Sequence, residues 1–297
     1  MMESMDISGY SRKGIVLYSY HEIPYFLKGN PYITKGYRVF LSSGQCIQSL
    51  CFWSNETLNV WTHLIGFLLF LTLSIYDSIV IIPSFRGTFI DQVIFSVFIL
   101  CFQFCMLSSA GYHLFCCRSE VACKRWLCLD LAGISVGLLG CYFPAVFYAF
   151  SCFPVWRNVY LVLVCCMILA TLFLQLHPMF HKSNWSTKRL IAFISMVAFG
   201  IIPVSHWAFL YGGFDSLIVQ TFVPKIVVMY ILGVLALFFY ATKFPERCFP
   251  GTMDYIGSSH QLWHIMVVIA FVWWHQAGIS LMEFRDNYPC EQWLPDS

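Results

Sequence analysis

Apolar residues run together along most of this chain in stretches too long for a soluble core, and polar residues are confined to the gaps between them. A helix needs roughly 20 mostly apolar residues to cross a bilayer. By that measure seven runs predict membrane helices, near 57–82, 90–115, 126–150, 158–178, 190–211, 221–242 and 257–282. Interior glycines, with Pro144 and Pro203, are compatible with this pattern because membrane helices tolerate both. The expected fold is an all-α membrane protein with seven transmembrane helices. Its organisation is an N-terminal segment (1–56), a membrane domain (57–283) and a short tail (284–297).

The N-terminal segment is aromatic rather than low in complexity, "LYSYHEIPYFLKGNPYITKGYRVFL", and too hydrophobic for simple disorder. Between Gly44 and Phe52, the residues Ile47, Leu50 and Cys51 recur at helical spacing, which predicts a short interfacial helix ahead of the first span. The first thirty residues hold no apolar core of signal-peptide length, so no cleavage is expected and span 1 acts as the membrane signal.

Composition agrees with the pattern: 59% hydrophobic, 11% charged, mean hydropathy +0.71. Soluble domains carry about a quarter charged residues. The formal net charge is +2, and no nucleic-acid partner is expected. The distribution of Lys and Arg matters more than their sum, because cytosolic loops are enriched in them. Thirteen of the 17 fall before span 1 or in the 2–3, 4–5 and 6–7 loops, against Arg86, Arg157, Lys225 and Arg285 on the other side. The N-terminus is therefore expected to be cytosolic and the C-terminal tail lumenal or extracellular, opposite to G-protein-coupled receptors. Two glycosylation sequons, at Asn55 and Asn184, would then lie at the cytosolic face and stay bare.

Most of the 14 cysteines fall inside spans, where cysteine acts as a small hydrophobe. Cys152 and Cys290 are both expected on the lumenal side and can pair if that compartment is oxidising. Cys116, Cys117, Cys123 and Cys128 flank the 2–3 loop, where a reduced thiol and palmitoylation are the two readings.

Candidate chemistry gathers near the cytosolic ends of three spans. His260 and His264 in "GSSHQLWH" lie four apart, so they share a helix face and can hold one ion. Alone, that spacing equally describes two interfacial histidines satisfied by water or carbonyls. Ser109 and His113 close span 2 at the same depth, and Asp130 opens span 3. Ionisable groups inside spans are costly and usually serve a cavity. Three neutral imidazoles, His113, His260 and His264, give zinc three ligands and leave the fourth position open. Asp130 is the candidate general base or water acceptor, Ser109 the candidate holder of water or substrate, and zinc lowers the pKa of water to about 7. Asp130 also reads as a carboxylate stabilised by the helix dipole. His63 and His177 share the depth and are rivals for the same site, since depth alone does not choose among five histidines. The plainer readings are a hydrogen bond to a neighbour such as Asn59, in the core or behind a ligand, for the first and a helix-end cap for the second. His206 and His275 fall toward the opposite face.

The segments "SNETLNVWTHLIGF", "SSAGYHLF", "LDLAGISVG" and "GSSHQLWH", in this order and topology, resemble the progestin and adipoQ receptors from about residue 30 to 285. The resemblance implies an adiponectin-receptor-like bundle with a zinc ion near the cytosolic face. It carries the metal ligands onto His113, His260 and His264, and the water-associated polar residues onto Asp130 and Ser109. Arg118 and Leu131 depart from the family pattern, which expects histidine and an aromatic there; the second bears on the pocket wall. "NPYITKGYR", "GYHLFCCRSE" and "FPERCFPG" are most similar to the Golgi member that traps Raf kinase. That implies a multi-pass Golgi membrane scaffold holding Raf kinase at its cytosolic face and damping MAP-kinase signalling, docked through the N-terminal segment. Two other functions stay open: a zinc-dependent hydrolase of a membrane lipid amide such as ceramide, and a lipid or protein-hormone receptor with structural zinc.

Overall fold

The computed structural model describes residues 14–176, 185–288 and 290. Seven helices among them are long and apolar enough to cross a membrane: span 1 (Thr57–Ser84), span 2 (Phe89–Arg118), span 3 (Glu120–Ala149), span 4 (Pro154–Gln175), span 5 (Thr187–Leu210), span 6 (Leu217–Thr242) and span 7 (Ser259–Asn287). Such segments bond their backbone internally, which a bilayer core requires.

The largest departure from the expected boundaries is span 3, which begins at Glu120 rather than near 126. Ser119 caps it by accepting the Ala122 N–H at 3.1 Å, and Lys124 pairs with Glu120 one turn on. A hydropathy ruler does not register this polar overhang. Asp130 therefore sits ten residues inside the helix, and the dipole reading fails because that effect fades within the first turn.

Span 2 is the central helix, with 61% of its most apolar stretch buried against 11% for span 6. It lies close to span 3, where Gly133 leaves room for the Ser108 hydroxyl and Gly111 leaves room for the Trp126 ring. Larger side chains at either glycine would push the two helices apart and separate the polar residues they carry. Phe70, Phe95, Phe98, Phe102 and Phe271 fill the middle of the bundle, with Phe102 stacked on Phe271 at 3.8 Å between centroids. A second core, including Phe150, Trp207 and Phe222, lies among spans 3 to 7. Span 1 contains a π-helical turn at Asp77–Ile81. Asp77 there accepts from His275 of span 7 at 2.6 Å, and both are almost fully buried.

The segment ahead of span 1 folds onto the bundle. Tyr18 and Tyr37 exchange backbone hydrogen bonds at 2.8 and 3.1 Å, and Ile23, Ile33 and Tyr37 form a small core. The expected interfacial helix is Ser43–Gln48, started by a capping box of Ser42 and Gln45 and continued by a 3-10 turn to Cys51. Its exposed side carries Ile47, as expected, but Cys46 turns inward, where its thiol shares a 3.7 Å hydrogen bond with the Cys117 thiol and forms no disulfide. Asn55 is buried and donates its backbone N–H to Gly36, so this sequon is closed to modification; Asn184 lies outside the described residues. At the far end of the bundle Cys152 and Cys290 form a disulfide.

Candidate metal centre

Span 2 ends, and span 7 begins, at the same end of the bundle, and this antiparallel crossing brings His113 to His260 and His264. One ligand atom from each lies within 4.8 Å of the others, and His113 Nε2 is 3.2 Å from His260 Nε2. Span 7 starts where Ser258 and Gln261 form a capping box, so its first two turns are regular and both histidines face span 2.

The second nitrogen of two of these rings is committed elsewhere. His113 Nδ1 donates to Glu56 Oε2 at 2.7 Å, and the same oxygen accepts from Asn59 Nδ2 at 2.7 Å. His264 Nδ1 donates to the Asn59 carbonyl at 3.1 Å and approaches the Thr62 hydroxyl at 3.3 Å. This assignment of protons follows from the partners, since a carboxylate and a carbonyl only accept. Nε2 of His113 and of His264 is left as a lone pair aimed at the shared space, the arrangement in which outer partners orient metal-bound histidines. In a tetrahedral zinc site with Zn–N near 2.0–2.1 Å, adjacent nitrogens lie about 3.3 Å apart. The His113–His260 pair already has that spacing, and a modest contraction brings in the third ring.

Charge also fits. Neutral imidazoles leave a divalent ion uncompensated, and Glu56 and Asp130 supply two carboxylates close to it. Burial works to raise the Glu56 carboxyl, but His113 beside it, the Asn59 hydrogen bond and the Arg38 charge hold it below the ordinary range, at about 2. Asp130 lies within electrostatic reach of His113 and near the Ser109 side chain. Ser109 and His113 lie one turn apart in span 2, both buried. The three histidines expected from the sequence therefore come together, and Ser109 and Asp130 lie toward His113 on spans 2 and 3.

His63 is at the site in a different role from the one expected. Its ring stacks on His264, 3.7 Å between centroids and 10° from parallel, and neither ring nitrogen has a hydrogen-bond partner among the described residues. The hydrogen bond to Asn59 is not made, and the Asn59 Oδ1 likewise has no partner among the described residues. His177 lies outside the described residues. His206 bonds the Tyr160 hydroxyl at 2.9 Å and His275 bonds Asp77, both away from the cluster.

Sequence reasoning missed three supporting residues. Glu56 stands one position before an apolar span, and a carboxylate at that depth was itself a signal. Asn59 lies one turn further on. Arg38 is buried at 3% exposure and donates from Nη2 to the His113 carbonyl at 2.7 Å, a long-range pairing with no periodic signature.

The chain matches the Haemolysin-III related family over residues 51–275, which takes in every residue of the cluster. It is 51% identical to progestin and adipoQ receptor family member 3 of Mus musculus over 95% of this chain and 91% of that protein, and 52% identical to its counterpart in Homo sapiens. It is also 32% identical to heptahelical transmembrane protein 1 of Arabidopsis thaliana, over 92% of this chain and 83% of the plant protein.

Proposed function

This chain belongs to the Haemolysin-III related proteins and, within them, to the progestin and adipoQ receptor family, and from that premise we propose that it is a zinc-holding membrane scaffold that retains Raf kinase at the cytosolic face of the Golgi. One observation carries the zinc part: three histidines converge, and two have their second nitrogen fixed by a carboxylate or a carbonyl. Such a site staples span 2 to span 7. His113, His260 and His264 would hold the ion, Glu56 and Asn59 would orient the first and last of them, and Asp130 would balance charge.

The orientation that this reading needs, with the site end in the cytosol, is supported by the disulfide at the opposite end. Cys152 and Cys290 are bridged there, while Cys46 and Cys117 at the site end remain thiols despite their proximity. Disulfides persist in oxidising compartments and are rare in the cytosol. The scaffold part rests on the likeness to the Golgi member and on the outer surface of the N-terminal segment, where Tyr25 and Phe40 are 85% and 64% exposed. Removing residues 1–40 is a poor test, because it also removes Arg38 from the His113 carbonyl. Tyr25→Ala with Phe40→Ala leaves that bond in place. Loss of Raf kinase recovery on Golgi membranes, with the protein itself still there, is the expected result; undiminished recovery would overturn this docking surface.

A second reading is favoured by Asp130 and Ser109 standing beside His113: hydrolysis of a lipid amide such as ceramide. When bound, zinc would polarise a carbonyl and ease ionisation of water. Asp130 would take a proton from the attacking water and return it to the leaving amine, and Ser109 would orient the Asp130 carboxylate. Release of fatty acid from ceramide by purified wild type, abolished in Asp130→Ala, is its test; equal release by both overturns it.

A further inference from the structure

The N-terminal segment touches the metal centre's scaffolding at three points: directly at His113, through Glu246 at the residue before His260, and at the residue before Glu56. At the end of span 2, Arg38 Nη2 donates to the carbonyl of His113 itself at 2.7 Å, and the Phe40 N–H donates to the Cys117 carbonyl at 2.7 Å. Helix ends leave such carbonyls without partners, so the segment supplies the cap. At the start of span 7, Asn30 Nδ2 donates to Glu246 Oε1 at 2.9 Å, and Glu246 Oε2 accepts the N–H of Ser259, the residue before His260, at 2.7 Å. The Ser259 hydroxyl completes the set on Glu246, which is 0% exposed. At the start of span 1, Gly36 accepts the N–H of Asn55, the residue before Glu56, at 3.0 Å.

Between these anchors the chain is fixed at further points. Thr34 is fixed to Asp254 through its N–H at 2.6 Å and its hydroxyl at 2.9 Å. Phe40 has φ of 52°, a left-handed backbone that a phenylalanine adopts only where its surroundings impose it. The bonds from Arg38 to Ser49 and to the His113 carbonyl, and from Asn30 to Glu246, exist only while the strap stays seated. Its seating and the spacing of the histidines are therefore set by the same bonds.

We propose that residues 30–40 are a metal-responsive strap: occupancy of the three-histidine centre and order of this cytosolic surface form one coupled equilibrium. This rests on the zinc reading above. Linkage is reciprocal, so whatever seats the strap slows loss of zinc, and loss of zinc loosens the strap. The surface offered to a cytosolic partner is thereby made conditional on zinc.

The test uses the full chain in lipid nanodiscs, zinc-loaded or stripped by a chelator, with bound zinc measured in each sample. On stripping, amide hydrogen exchange of Phe40 and Asn55 is expected to accelerate at least ~10-fold, within the range of allosteric couplings, while Trp207 and its neighbours at the far end stay unchanged. In parallel, Arg38→Gln and Glu246→Gln should release zinc to a chromogenic chelator roughly 10-fold faster than wild type, at the low end for outer-partner substitutions. Stoichiometric zinc in the wild type with equal strap exchange in both states, or with unchanged release from both variants, overturns the coupling and leaves the metal reading intact. A wild type that takes up no zinc overturns both.

Discussion

Glu56 and His113, 57 positions apart in the chain, share a 2.7 Å hydrogen bond that fixes which nitrogen of the imidazole faces the centre. Glu56→Gln keeps an acceptor there but removes the negative charge. Zinc affinity is expected to fall by roughly 10-fold, and in Glu56→Ala by up to about 100-fold, the range for lost outer partners. Competition with a chelator of known affinity measures it.

Ligand and stacking roles can be separated at the next ring pair. His264→Ala removes a ligand atom and is expected to lose zinc, measured by mass spectrometry of the metal. His63→Phe keeps a ring stacked on His264 and should retain stoichiometric zinc. Loss of zinc in the His63 variant would make it a ligand rather than a brace.

The far end of the bundle offers a covalent check. Unreduced protein should carry 12 titratable thiols in denaturant, and two more after reduction, matching the single Cys152–Cys290 bridge and the free cysteines. Cys290→Ser should abolish the reduction-dependent gel shift. Cys46→Ser should leave it intact.

Asp77 and His275 form an ion pair or hydrogen-bonded pair with side chains 2% and 0% exposed. Removing one partner strands the other in an apolar core, so Asp77→Ala is expected to destabilise by roughly 3–5 kcal/mol. Replacing both, as Asp77→Leu with His275→Phe, should cost much less. Thermal unfolding of the detergent-solubilised variants in a double-mutant cycle measures the difference.

The seven spans were legible because a bilayer imposes a length, and apolar runs of that length are visible without any knowledge of packing. The ends were less so: Ser119, Ser258 and Thr88 start helices through hydrogen bonds that hydropathy does not register. The three converging histidines were legible as polar groups at a common depth. Arg38 and Glu246 were not, since their partners lie 75 and 216 positions away, at His113 and Asn30, and look in sequence like ordinary loop charges. His275 was correctly set apart from the cluster, but its partner Asp77 lies 198 positions away and was invisible for the same reason.

The stacked pair Phe102 and Phe271 has a consequence for the two ends of span 7. On span 7, Phe271 stands on the same face as His264 and His275, seven residues after one and four before the other, with Phe70 and Phe98 closing around the stack. The rings between the three-histidine end and the Asp77 pair carry no hydrogen-bonding group, so the stack is an apolar break between two polar pairs on this face. The two polar ends of span 7 are thus kept apart along this face, and a substitution at one is not expected to reach the other through a chain of hydrogen bonds.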